Sequence, residues 1–266
     1  MLIAELRHLF RRTRVRALLI VMFAIPFLLA VAVKINGGPS DGNGPTFLAQ
    51  VSQNGVFAAL AGLTVTIPFF LPLTVAVVSG DTIAGEASIG TLRYLLTRPS
   101  GRGRLLGVKA VTTLAYCLAA ALAVAAGGLI GGAILFPLGR IISLSGTSLP
   151  LIDGIGRTLL AALVVGASLL GLAAIGVFVS TLTDVPVGAM AVTAGIGVLS
   201  LILDAVPQVA FVHPWLFTHQ QLAFGDLLRT PVRWNNIGKD LLLQLGYVAV
   251  FGTAAWARFT TRDVLA

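Results

Sequence analysis

Residues 7–33 read RHLFRRTRVRALLIVMFAIPFLLAVAV, five arginines within ten positions followed by seventeen residues without a charge. At a rise of about 1.5 Å per residue, a helix of that length reaches about 25 Å, close to the hydrocarbon thickness of a bilayer. Arg16 and Lys34 stand at its two ends, where long basic side chains can reach out to the interface. A basic flank before an apolar run marks a membrane-crossing helix with the flank held in the cytoplasm. The stretch also resembles a secretory leader, with Ala30-Val31-Ala32 as a cleavage site. Cleavage there would leave five spans and invert the charge pattern of the loops, so 17–33 is read as the first span.

The pattern recurs. Apolar runs at 56–79, 110–135, 158–179, 186–203 and 241–257 bring the expected spans to six. Composition agrees: 57% of the 266 residues are hydrophobic before the 30 glycines are counted, and 11% are charged. Soluble domains carry about 25% charged residues. A lone cysteine, Cys117, excludes a disulfide scaffold. The expected fold class is therefore all-α, a polytopic membrane protein embedded in a lipid bilayer.

The net charge of +8 would suggest nucleic acid in a soluble protein. Here the basic residues sort by loop instead, so no nucleic-acid partner is expected. Six spans place both termini on one side. That side collects Arg7, Arg11, Arg12, Arg14, Arg16, Arg93, Arg98, Arg102, Arg104, Lys109, Arg258 and Arg262. The other holds Lys34, Arg140, Arg157, Arg229, Arg233 and Lys239, so both termini are expected in the cytoplasm. The longest polar segments, 81–109 and 204–240, are too short to fold alone. Residues 1–266 thus read as a single membrane domain.

Within residues 1–16, Leu2, Ile3, Leu6, Leu9 and Phe10 fall at helical spacing, with Glu5, Arg7, His8, Arg11 and Arg12 between them. This predicts an amphipathic helix lying in the cytoplasmic interface. The segment 81–109 opens with Asp81 and Glu86 and closes with Arg98, Arg102, Arg104 and Lys109 around Pro99. Early acids and a late proline suit a short helix followed by a basic turn.

The residues of that segment resemble the hallmark loop of ABC-2-type transporter permeases, the membrane subunits of bacterial ATP-binding-cassette exporters. The resemblance rests on Asp81, Ala84-Gly85-Glu86, Gly90-Thr91-Leu92-Arg93, Leu95-Leu96, Arg98-Pro99, the following arginines and Lys109. Its order, spacing and place after the second span agree with the family. Ser100-Gly101 before Arg102-Gly103-Arg104 departs from a simpler step in many members and blurs which arginine is equivalent.

The resemblance implies a cytoplasmic coupling helix within 81–109 that seats in a groove of a separate ATPase subunit, with the N-terminal helix beside it. Asp81, Gly85, Glu86, Gly90, Thr91, Arg93, Arg98 and Pro99 would form the coupling surface, with Glu86 making the principal polar contact. It further implies a permease in the bacterial plasma (inner) membrane, paired with a second, identical or homologous permease subunit. The rival is a polytopic carrier or membrane enzyme acting without ATP.

ATP and Mg would bind the partner ATPase, not this chain. A phosphate loop needs glycines leading to Lys and then Ser or Thr, whereas Lys109 lies between Val108 and Ala110. No catalytic set appears, so the chain by itself is not expected to be an enzyme and no cofactor is assigned to it.

Pro68 and Pro72 predict a kink in the second span and a candidate hinge. Gly127, Gly128, Gly131 and Gly132 form two overlapping Gly-x-x-x-Gly pairs, suited to helix packing or a subunit interface. The outer segment 204–240 mixes Trp215, Phe217, Phe224 and Trp234 with His213, His219, Asp226 and Arg229. Interfacial aromatics fit it, as do the partly re-entrant short helices the family resemblance implies there. His213, His219 and Asp226 match no metal-binding spacing, so no metal site is expected. No ionisable residue is placed inside a span.

Overall fold

A computed structural model describes residues 1–36, 48–90, 101–142 and 145–261. Its helices, numbered here over those residues, are α1 (Leu2–Arg11), α2 (Thr13–Asn36), α3 (Leu48–Val51), α4 (Phe57–Thr66), α5 (Phe70–Ser88), α6 (Arg102–Leu135), α7 (Leu151–Ala167), α8 (Leu170–Leu182), α9 (Pro186–Ala205) and α10 (Trp234–Thr261). A two-stranded hairpin, β1 (Ile141–Ile142) with β2 (Ser148–Leu149), joins α6 to α7. The protein is an all-α polytopic membrane protein. Five stretches are long and apolar enough to cross a bilayer: α2, most of α6, α7 with α8 taken together, α9 and α10. The bent pair α4 and α5 supplies a sixth span if counted as one.

Several boundaries move relative to the apolar runs. The third span starts at Arg102 rather than near residue 110, and the last runs from Trp234 to Thr261 rather than 241–257. Helices continue past the apolar slab because backbone pairing, not hydropathy, sets where a helix stops. The segment 81–109 is correspondingly not a loop along its whole length. Helix α5 carries Asp81, Gly85 and Glu86 on its last turns and α6 already includes Lys109.

The second span breaks where proline predicts it. Pro68 lies in the gap between α4 and α5, whose axes diverge by 59°. Its ring removes one backbone donor and crowds the preceding turn. Pro72 sits buried in the first turn of α5, where a missing N–H costs no helical bond. At the end of α4, Thr66 Oγ1 donates to the Gly62 carbonyl at 2.8 Å.

Helix α6 is the central post, packed against α2, α4 and α7. Its glycines let the neighbours close in. A Cβ on Gly127 would overlap the Phe23 carbonyl of α2, one on Gly128 would overlap Ala59 of α4, and one on Gly132 would overlap the Gly55 carbonyl. Gly131 faces Phe27 and Ala30 of α2. All four therefore face close neighbours within the chain. Cys117 is buried in the same helix. Helix α5 packs on α8 and α9, and α8 on α10.

The segment between α9 and α10 forms three 3-10 turns, Pro207–Val209, His213–Trp215 and Gln221–Leu228. Their aromatic residues divide: Phe217 and Phe224 are buried, while Trp215 and Trp234 are exposed.

Candidate functional site

The residues singled out in the sequence gather where α1, α5 and α6 meet. Helix α1 ends at Arg12, whose backbone turns extended before α2 begins at Thr13. The Arg12 guanidinium reaches 2.9 Å to Asp81 Oδ2 on α5 and 3.3 Å to His8 Nε2 on α1. Guanidinium is only a donor, so in this arrangement His8 Nε2 accepts. Arg12 thus pins the N-terminal helix to the last turns of α5.

Deeper in, Lys109 of α6 donates to both Glu5 of α1 and Glu86 of α5. Lys109 is 4% and Glu86 7% exposed. A buried ammonium between carboxylates is tolerated only because each charge finds partners; stripping one leaves a large desolvation penalty. The Lys109 carbonyl is itself held by Thr112 Oγ1 at 2.7 Å and Thr113 Oγ1 at 3.0 Å. Glu86, expected to make the principal polar contact of the coupling surface, is buried and pairs with Lys109. Its burial follows from α5 continuing to Ser88, which turns that face toward α6.

Glycines make this corner possible. A Cβ on Gly85 would sit 2.5 Å from Asp81 Oδ1, so the bare backbone gives the Asp81 carboxylate its room. Gly90 has φ +73°, a left-handed conformation that stops α5, and its N–H bonds the Ala87 carbonyl at 3.0 Å. Thr91, Arg93, Arg98 and Pro99 lie outside the described residues.

One turn before Glu86, the Ser180 hydroxyl of α8 grips the α5 backbone. It accepts from the N–H groups of Ile83 at 3.0 Å and Ala84 at 2.9 Å, and donates to the Gly80 carbonyl at 2.7 Å. Beside it Gly80 lets α9 approach, since a Cβ there would lie 2.7 Å from the Met190 nitrogen. Neither Ser180 nor Gly80 stands out in the sequence, because a serine or glycine in an apolar run carries no signal of its partner. Alongside the corner lies a cavity of about 570 Å³ bordered by His8, Arg12, Arg14, Asp81, Ser88 and Pro186. It offers basic and acidic groups together at the end of the bundle that carries the N-terminal helix.

A second polar cluster corrects the expectation of spans without ions. Asp240, the last residue of the polar segment 204–240, lies in α10 and is 1% exposed. Its Oδ1 accepts from Gln244 Nε2 at 3.0 Å and its Oδ2 accepts from the Ser168 hydroxyl. Gln244 also accepts from the Gly171 N–H at 2.9 Å and donates to the Phe217 carbonyl at 3.0 Å. Ser168 stands at the break between α7 and α8, where an interrupted helix exposes N–H groups. The cluster fills those valences from α10.

His213 and His219 come together, with ring centroids 5.5 Å apart, but Asp226 does not join them. It pairs with Arg229 at 2.9 Å and Asn236 at 2.9 Å.

With these positions in place, the chain can be set beside known proteins. Residues 1–264 match the family described as ABC-2 family transporter protein. Over 79 residues the chain is 39% identical to a protein of Pseudomonas aeruginosa named probable ABC transporter permease protein NosY. That alignment covers 30% of this chain and 26% of the relative, so the likeness to that protein spans about a quarter of its length. The match along nearly the whole length, together with the multi-pass helical fold, places this chain in the ABC-2 transporter family as a membrane permease component.

Proposed function

We propose that this chain is the membrane-spanning subunit of an ATP-driven exporter, working with separate ATPase subunits and a second permease subunit. It would reside in a bacterial inner membrane with both termini in the cytoplasm, in keeping with the basic residues gathered at that end. ATP and Mg would be held by the ATPase.

The observation that carries this reading is the corner where Lys109 bridges Glu5 and Glu86 while Arg12 bridges His8 and Asp81. Two ionic links join the N-terminal helix to the end of α5 and the start of α6, the two helices that flank the hallmark segment. A push on that segment would reach both helices at once. Glu86 then acts by transmission through Lys109, not by touching the ATPase. The bend at Pro68 gives α5 freedom to swing against α4, with Pro72 preparing its first turn.

Purification of the tagged chain in mild detergent from its native host tests the assembly. Co-purification of an ATPase subunit is expected; a chain that purifies without one and transports in ATP-free vesicles overturns the proposal. The buried Asp240 gives the carrier reading its one specific support, since ionisable groups inside spans mark ion paths in many carriers. Its carboxylate oxygens are both hydrogen-bonded, one to Gln244 on the same helix and one to Ser168 at the break between α7 and α8, which favours a bracing role.

A further inference from the structure

Three side chains unused by the transport reading meet at the far end of the bundle from the ionic corner. Helix α9 begins beside that corner, where Pro186 and Met190 border the cavity, and its 20 residues carry the chain about 30 Å away. Asp204 lies on its last turn, His213 opens a 3-10 turn nine positions on, and His219 follows it. One ligand atom from each of the three lies within 4.8 Å of the others.

The local hydrogen bonds prepare these groups. His213 Nε2 lies 3.1 Å from the Leu203 carbonyl and 3.2 Å from the Val206 carbonyl. Carbonyls only accept, so Nε2 carries the hydrogen and Nδ1 keeps the lone pair that a metal requires. A ring nitrogen donating to a backbone carbonyl is the usual outer support of a metal-bound imidazole. His219 Nδ1 lies 2.6 Å from Asp204 Oδ1, so carboxylate and imidazole are already side by side. Asp204 and His213 are half-buried and His219 is exposed, which leaves the group open to solvent.

We propose that Asp204, His213 and His219 form a binding site for a divalent transition-metal cation, of which zinc is the representative. Two imidazoles and a carboxylate suit zinc, copper(II) or nickel(II), whereas magnesium and calcium prefer all-oxygen sets. Ligand bonds of about 2.0–2.2 Å would need small side-chain adjustments, with the ion taking the place of the hydrogen bond between His219 and Asp204. Three protein ligands leave a fourth position for water or an incoming ligand. A bound ion ties the end of α9 to the turns that lead toward α10, and it does so whatever energises transport.

The test uses the full chain in detergent, carrying a purification tag without histidine and stripped with chelator. Titration with zinc, followed by calorimetry and elemental analysis, is expected to show one ion per chain and no competition from excess magnesium or calcium. His213→Ala and His219→Ala should each weaken zinc binding at least tenfold, and Asp204→Asn should weaken it as well. His8→Ala and Asp226→Asn should leave it unchanged. Absence of zinc binding by the unaltered chain, or binding that survives both histidine substitutions, overturns the proposal. Cobalt(II) gives a reading on the unaltered chain should a variant fold poorly. An intense visible band from tetrahedral cobalt supports the site, and only the weak colour of the hydrated ion contradicts it.

Discussion

Lys109 on α6 and Glu86 on α5 form an ion pair with both side chains almost wholly buried, and Glu5 of the N-terminal helix shares the same ammonium. The arrangement has more acid than base, so its members are not equivalent. Removing Lys109 leaves two carboxylates facing each other, whereas removing Glu86 leaves Lys109 still paired with Glu5.

Lys109→Met should therefore destabilise the protein by about 3–5 kcal/mol, the usual penalty for orphaning a buried charge. Glu86→Gln should cost clearly less. The double variant should recover part of the loss, with a coupling of about 0.5–3 kcal/mol. Thermal unfolding in detergent of the four proteins completes the cycle; additive effects would show that the two side chains are not coupled.

The glycines of α6 and α10 should respond oppositely to the same change. Gly132→Ala drives a methyl into the Gly55 carbonyl, backbone that cannot yield, and should sharply reduce folded protein. Gly246 of α10 has open space where a Cβ would go, so Gly246→Ala should be neutral or stabilising by up to about 1 kcal/mol. Size-exclusion profiles and melting temperatures of the two variants read this directly.

Asp240 separates bracing from ion conduction. Asp240→Asn keeps an acceptor for Gln244 and can donate to the Ser168 hydroxyl, so stability and transport should be largely retained. Asp240→Leu abandons Ser168 and Gln244 inside the helix bundle and should cost about 1–3 kcal/mol or more. Normal stability with abolished transport in Asp240→Asn would point instead to a carboxylate that must ionise.

Ser180→Ala should loosen α5 from α8 by removing a hydroxyl that serves three backbone groups. A loss of about 1–3 kcal/mol is expected. Hydrogen exchange should then quicken at Ile83 and Ala84; unchanged exchange at those amides would show that the hydroxyl is dispensable.

The apolar runs made the membrane class legible, and Pro68 marked the break in the second span. Helix ends were less legible, because polar residues such as Asp81, Glu86, Lys109 and Asp240 continue helices once tertiary partners satisfy them. The burial of Glu86 was not legible for that reason: its partner Lys109, an ammonium it shares with Glu5 of α1, sits 23 positions later on α6. The Gly127–Gly132 pattern announced close packing but not which neighbour fills it. His213 and His219 were visible as residues, yet their third neighbour, Asp204, lies on α9 rather than at Asp226.

Coupling through the Lys109 corner is tested most directly by spin-label distance measurements on the purified complex with its ATPase. Labels at Ile89 and Ile152, both strongly exposed, report on the two ends of the bundle. ATP with magnesium should change their separation in the unaltered complex, and Glu86→Ala should abolish that change while ATP hydrolysis continues. An equal nucleotide-driven change in Glu86→Ala would contradict transmission through this corner.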